Sequence, residues 1–216
     1  MKEKLKITFV SDIDSWINSY IPDYIKTFSS NRFIIDWVNN FEDLAYGDIC
    51  FLISCSKIMP KKIIKKNNIN LVIHESKLPK GKGWSPLTWQ VLEGKNKIPI
   101  TLLEVVEKVD SGRIFLQDDI ILEGNELVED LRIKQKDYTF KLCNAFIKDY
   151  PKILNGGNLQ SGESSFYKKR SPIDSKLDVN KTIIENFNLL RVVDNNKYPA
   201  YFYLKGKKFK IKIEYY

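Results

Sequence analysis

Residues 70–117 read NLVIHESKLPKGKGWSPLTWQVLEGKNKIPITLLEVVEKVDSGRIFLQ and contain the chain's one histidine, His74, followed 36 residues later by Asp110 in a Val-Asp-Ser-Gly turn. Leu71, Val72 and Ile73 form a short apolar run of the kind found in a buried strand, which puts His74 at or just past the strand's C-terminal end. Open α/β sheets place their ligands at the carboxyl ends of strands. A lone imidazole also serves as an ordinary hydrogen-bonded filler, so its surroundings have to carry the case. Beyond it, Leu78-Pro79-Lys80-Gly81-Lys82-Gly83 cannot continue a strand and exposes backbone amides beside two lysines. It reads as a loop able to meet an anion.

Outward from this stretch, strand-like runs at Leu5 to Val10, Arg32 to Val38, Asp48 to Ser54 and Ile69 to His74 alternate with helical patterns at Asp14 to Phe28 and Pro60 to Lys66. Such alternation predicts a parallel sheet with crossover helices. The stripe Trp16, Ile17, Tyr20, Ile21, Ile25, Phe28 has helical spacing and reads as core packing. Ser85 and Pro86 suit an N-cap and first helical position for a short helix through Trp89 to Leu92 that Gly94 ends. Strands at Ile98 to Val106 and Arg113 to Leu122 flank the Asp110 turn, and a long helix from about Glu126 to Tyr150 covers the sheet. Residues Asn155 to Asp174 are rich in Gly, Ser and Pro and mark a linker or wrapping loop. Asp178 to Val193 then looks helical, and Ala200 to Leu204 and Phe209 to Tyr215 flank a hairpin turn at Lys205-Gly206-Lys207-Lys208. The expected class is α/β: a Rossmann-like, mostly parallel sheet flanked by helices, with a small C-terminal helix and β-hairpin.

The 216 residues suffice for one α/β domain with a real core and a small appendage. No stretch approaches the roughly 18 apolar residues of a membrane span, and the charged start Met1-Lys2-Glu3-Lys4-Leu5-Lys6 is followed by too short an apolar run for a signal peptide. A cytoplasmic protein with no membrane partner is expected. Cys50, Cys55 and Cys143 are odd in number and scattered, which suggests buried thiols and neither a disulfide framework nor a metal site. The net charge of +8 makes nucleic acid a candidate partner. The lysines are spread over many segments without an RNA-binding or helix-turn-helix signature, however, so no nucleic acid is expected; anionic small molecules profit equally from a positive field.

These residues resemble the folate-dependent formyltransferases, the family that includes glycinamide ribonucleotide, methionyl-tRNA and nucleotide-sugar N-formyltransferases. His74-Glu75-Ser76-Lys77-Leu78-Pro79, with Lys82-Gly83 and Ser85-Pro86 behind it, is similar to the family's His-x-Ser-Leu-Leu-Pro loop, its basic-Gly pair and its Pro-started helix. Val109-Asp110-Ser111-Gly112, with Gln117 further on, is similar to the family's Asp-x-Gly loop, and Phe51 to Pro60 to the strand and loop that line its pterin pocket. Gly81 to Trp89 and the tail Leu190 to Phe202 resemble the bacterial sugar N-formyltransferases, the pseudaminic-acid pathway type above all. The resemblance implies a formyltransferase catalytic domain over residues 1–154, a linker or wrapping loop over 155–175 and a small C-terminal subdomain over 176–216. It leaves a homodimer open.

The implied reaction passes a formyl group from 10-formyltetrahydrofolate, without a metal, to the primary amine of a UDP- or dTDP-linked 4-amino-4,6-dideoxy sugar in surface glycan biosynthesis. Other formyltransferase acceptors, or a folate- or nucleotide-binding relative that has lost catalysis, are the rival readings. His74 would donate to the oxyanion or take the amine proton, with Asp110 orienting it and favouring its charged form. Cys55, Ser56, Ile58, Val109 and Gly112 fall in the segments implied to bind folate. For the acceptor, Ser76, Lys80, Lys82, Trp84 and Arg191 are candidates: the lysines and Arg191 for a diphosphate, Trp84 for the sugar pocket. Tyr198, Tyr201 and Phe202 would either stack a base or simply pack the small subdomain. One departure stands out. Where the family has asparagine two residues before the histidine, this chain has Val72, which cannot donate; Asn70 shares its strand face but lies roughly 13 Å from His74 by strand rise, so Ser76, loop amides or water are nearer.

Overall fold

The computed structural model describes residues 4–216, so the charged start at Met1-Lys2-Glu3 lies outside the described residues. The elements follow in chain order as β1 (Leu5–Val10), α1 (Ile21–Lys26), β2 (Phe33–Val38), β3 (Gly47–Leu52), α2 (Lys61–Ile64), β4 (Asn67–His74), β5 (Lys82–Gly83) and α3 (Pro86–Leu92). They continue as β6 (Lys97–Glu104), β7 (Ile114–Ile121), α4 (Val128–Asp149), β8 (Phe166–Tyr167), α5 (Ile183–Arg191), β9 (Ala200–Leu204) and β10 (Lys207–Ile211). The main sheet has the order β2-β1-β3-β4-β6-β7. Strands β1 to β4 pair in parallel, as alternation with helical segments requires, and β6 and β7 close the sheet antiparallel.

Side-chain alternation along these strands builds two separate apolar layers. Ile7, Phe9, Ile49, Phe51, Leu71 and Ile73 face one core together with Leu142 and Phe146 of α4, while Val10, Cys50 and Leu52 face another with Phe41, Met59 and Ile63. Helix α4 buries Thr139, Leu142, Cys143, Phe146 and Ile147, a spacing of three and four that keeps one stripe on the sheet. Each large apolar side chain buried there contributes about 1.5–3 kcal/mol. His74 has the parity of Val72 and so belongs to the second face. In register it stands opposite Thr101, which stands opposite Gln117, so three polar side chains form a row across the sheet.

Several elements differ from the sequence expectation, each for a local reason. The helix expected over 14–28 is a 3-10 turn at Trp16–Ser19 and then α1, because Pro22 has no N–H to continue the ladder across Tyr20. The helix expected over 60–66 shrinks to α2, since Pro60 is extended and β4 already starts at Asn67. Helix α5 starts at Ile183 because Thr182 and Glu185 form a reciprocal capping box. Ser85 precedes Pro86 as expected but sits in the left-handed region (φ 48°) and makes no side-chain cap. The hairpin turn is the two-residue Lys205-Gly206, with φ of 48° and 77°, so β10 begins at Lys207. The wrapping loop over 155–174 contains a strand, β8, that pairs in parallel with β5.

The C-terminal segment has its own small core of Leu177, Leu190, Val193 and Ala200, against which Phe202 packs. Arg191, expected as a diphosphate contact, is instead 1% exposed. Its guanidinium donates to Glu126 Oε2 (2.8 Å), the Glu126 carbonyl (3.2 Å), Asn96 Oδ1 (3.2 Å) and Asn188 Oδ1 (3.3 Å). It ties α5 to the segment that leads into α4. Burial opposes ionisation of Glu126, but the amides of Glu123 and Gly124 and the Lys134 ammonium outweigh it and bring this carboxyl down to about 2. Arg191→Ala should destabilise the protein by about 3 kcal/mol, the lower end for a broken buried pair, because Lys134 Nζ still faces the carboxylate at 3.0 Å; urea unfolding measures it. Because Glu126 ionises more readily folded than unfolded, its contribution is full above about pH 4.5 and is lost as the pH falls toward 2. Glu126→Gln should flatten that part of the pH–stability curve.

Candidate active site

His74 is the last residue of β4, 6% exposed, under the loop that its own strand feeds. Its Nε2 lies 2.8 Å from the carbonyl of Gly81. A carbonyl only accepts, so Nε2 carries a proton and donates, and the neutral ring has its lone pair on Nδ1. That nitrogen faces Asp110 Oδ1 at 3.7 Å, with both side chains 8% exposed. Any change of protonation at His74 therefore takes place at the atom that faces the carboxylate. Beneath it, Thr101 Oγ1 donates to the Ser76 carbonyl (2.7 Å) and accepts from Gln117 Nε2 (3.0 Å). Ser76 itself is 2% exposed, and its hydroxyl has no partner among the described residues.

Asp110 reaches the imidazole because the segment between β6 and β7 folds back over the second face of the sheet. Its own φ is 51°, a left-handed conformation that costs a non-glycine residue about 1–2 kcal/mol, and the turn is correspondingly over-determined. Gly83 N donates to Asp110 Oδ2 (2.9 Å), leaving Oδ1 for His74. Gln160 Nε2 donates to the carbonyls of both Asp110 and Gly112 at 2.9 Å. A Cβ on Gly112 would fall 1.9 Å from the Glu104 carbonyl oxygen, and one on Gly83 2.5 Å from that of Tyr167. Lys82, expected as a diphosphate contact, turns inward because β5 pairs with β8; it is 5% exposed and donates to Ser111 Oγ (2.9 Å). Burial, and then repulsion from Lys108, lower the Lys82 pKa against the pull of Asp110.

The residues implied to bind folate lie on two neighbouring loops, joined where Lys61 Nζ meets Glu107 Oε1 at 2.7 Å. Ile58 and Val109 are exposed by 67% and 46%, Gly112 is buried, and Cys55 is partly exposed where Cys50 and Cys143 are fully buried. Ser56 donates through both its amide (2.8 Å) and its hydroxyl to Asp12, which follows β1 and fixes this loop. Open apolar side chains beside a hydrogen-bonded polar edge fit a flat heterocycle such as a pteridine. Among the acceptor candidates, Lys80 is exposed, and Trp84 is 39% exposed with Lys169 Nζ 4.6 Å from its ring centroid. Tyr198 is 61% exposed, and Phe202 stacks on Phe209 at 5.3 Å, which spends it on packing. Asn70 donates to the Ile64 carbonyl and accepts from Asn67, both away from His74. Sequence reading missed Gln160, Asp12 and the Gly81 carbonyl. Asp12, directly after an apolar strand, carried a readable signal; the other two did not.

The central part of the chain, residues 31–144, matches the model of the formyl transferase family. Methionyl-tRNA formyltransferase of Mycoplasma capricolum subsp. capricolum is 27% identical over 176 residues, 80% of this chain and 55% of that protein; the chain thus spans about half the length of such curated relatives. In fold it is similar to a methionyl-tRNA formyltransferase from Clostridium thermocellum (TM-score 0.78, 21% identity, 96% of this chain and 97% of that one). It is also similar to a 4-N formyltransferase from Francisella tularensis (TM-score 0.74, 19% identity, 97% of each chain). With more than half of its length matched, and with the matched stretch holding His74, Asp110 and five of the six strands of the main sheet, the chain belongs to the formyl transferase family.

Proposed function

We propose that this protein transfers a formyl group from 10-formyltetrahydrofolate to the primary amine of a nucleotide-linked amino sugar, a UDP- or dTDP-4-amino-4,6-dideoxy sugar, for bacterial surface glycans. One observation carries the reaction: a single imidazole whose Nε2 is committed to Gly81 and whose Nδ1 faces a buried carboxylate. When bound, 10-formyltetrahydrofolate supplies an activated formyl carbon on a nitrogen leaving group. Cys55, Ser56, Ile58, Val109 and Gly112 would hold it. Neutral His74 takes a proton from the acceptor amine at Nδ1, Asp110 stabilises the imidazolium so formed, and the same N–H returns the proton to the leaving nitrogen.

The acceptor class is supported by the rim of the loop that carries Gly81 and Gly83. Lys80 is exposed there, Lys169 lies over Trp84, and Lys168 Nζ lies 5.5 Å from the ring centroid of Trp89. Ammonium groups beside aromatic faces suit a phosphorylated nucleoside. Arg191 has no part in this. His74→Ala and Asp110→Ala should each lower turnover by roughly 10²- to 10⁴-fold with circular dichroism and melting little changed. A formyl-transfer assay with the two nucleotide sugars measures it, and near-wild-type rates for Asp110→Ala would refute the pair.

A methionyl-tRNA acceptor is the second reading, favoured by the names of the curated relatives and by one feature of charge. Residues 197–212 contain six lysines and no acid, which leaves only +2 for the rest of the chain. Strand β10 carries three of them, with Lys205 in the turn before it, beside exposed Tyr203 and Phe209, a basic and aromatic ribbon that a polyanion could use. The two readings separate in a salt series. An amino-sugar enzyme should form no formyl-methionyl-tRNA and bind tRNA weakly at every ionic strength, whereas a tRNA enzyme should form it and lose affinity steeply as salt rises from about 50 to 200 mM.

A further inference from the structure

Gln160 lies in the strap between α4 and β8, beyond a 3-10 turn at Lys152–Asn155, in a stretch that contributes no group to the proton transfers at His74. Its backbone neighbourhood is fixed by the reciprocal hydrogen bonds of Asn158 with Ile114 at the start of β7. From there its amide NH2 reaches two carbonyl oxygens of one turn, those of Asp110 and Gly112, each at 2.9 Å. Both partners are acceptors, so the orientation of the amide is determined: nitrogen faces the turn, and Oε1 is buried with no partner among the described residues. Those two carbonyls bracket Ser111 in the turn that directly follows the left-handed backbone of Asp110. The carboxylate of the same residue is held from the opposite side by Gly83 N, on the loop whose Gly81 carbonyl holds His74.

We infer that Gln160 is a positioning residue for formyl transfer: by clamping the backbone of the Asp110 turn from the strap, it keeps the carboxylate on Nδ1 of His74. The inference rests on the proposed His74–Asp110 chemistry. A side chain that only filled space would be replaceable by methionine, which has nearly the same shape and no donor. A clamp would not be, because the turn would relax and Asp110 would withdraw from the ring. Withdrawal of a nearby anion disfavours the imidazolium, so the titration midpoint of His74 falls. Glu75 and Lys82 also lie beside the site, and Lys82 donates to Ser111 of the same turn, so Asp110→Asn is the reference against which the shift is assigned to Asp110.

The chain has one histidine, so the imidazole resonances of untagged protein give a single titration curve in NMR. Gln160→Met should lower that midpoint by roughly half a unit or more, in the direction given by Asp110→Asn, and should lower kcat by about 10- to 100-fold with KM for both substrates within about twofold. Gln160→Ala should match it. A wild-type midpoint and rate in Gln160→Met overturns the inference, as does a fall in kcat with the midpoint unmoved. If Asp110→Asn itself leaves both midpoint and rate unchanged, the paired chemistry fails instead, and the two failures are thus told apart.

Discussion

The parallel pairing of Lys82–Gly83 with Phe166–Tyr167 is two residues long, yet most of the site hangs from it. Gly83 is there at φ 94°, with no room for a Cβ against the Tyr167 carbonyl. Lys82 N and Gly81 N donate to Ser165, and Trp84 N to Tyr167, so the loop after β4 has its backbone donors satisfied by the strap. That leaves the Gly81 carbonyl turned down onto His74 and the Gly83 amide turned toward Asp110. A backbone satisfied on one side is free to organise catalytic side chains on the other. The strap is thus a structural member of the site, although its composition is that of a linker.

The range of each interaction decides how far it could be read beforehand. Strands β1, β3 and β4 were legible because they lie inside a parallel sheet, largely buried on both faces, and write themselves as apolar runs, and His74 was legible as the residue at the end of one. Helix ends were misjudged where a single residue decides, as at Pro22 and Thr182. The inward turn of Lys82 and the burial of Arg191 were not legible at all. A cation in a sequence carries no mark of whether it will face water or Glu126, whose carboxylate is supplied 65 residues away. Gln160 was hidden for the same reason, since its partners are 50 and 48 residues distant and its neighbours have no periodicity.

Val72 changes the problem of charge more than it changes the fold. It packs, partly buried, against the second apolar layer beside Val105, so the face of β4 just before His74 is apolar and offers no donor. Asn70, the next polar side chain back along that face of β4, is spent on Ile64 and Asn67. The donors near the imidazole are then the Nδ1–H of its protonated form and the Ser76 hydroxyl. This concentrates the electrostatic work on His74 and on whatever keeps Asp110 beside it.

Two titratable neighbours report how dry that environment is. Burial raises the pKa of Glu75, against the opposing effect of His74 and a 2.6 Å hydrogen bond from Gln135, and burial lowers that of Lys82. The two groups have opposite charge, and both move toward their neutral forms. A nearby net charge would push both in one direction on the pH scale, raising or lowering the two together. Opposite shifts toward neutrality are the signature of poor solvation. In such surroundings the attraction between Asp110 and a protonated His74 is stronger than it would be in water at the same 3.7 Å. Small displacements of the Asp110 turn then matter to the reaction in proportion, and Gln160 holds its backbone from the strap while Gly83 N holds its carboxylate from the loop.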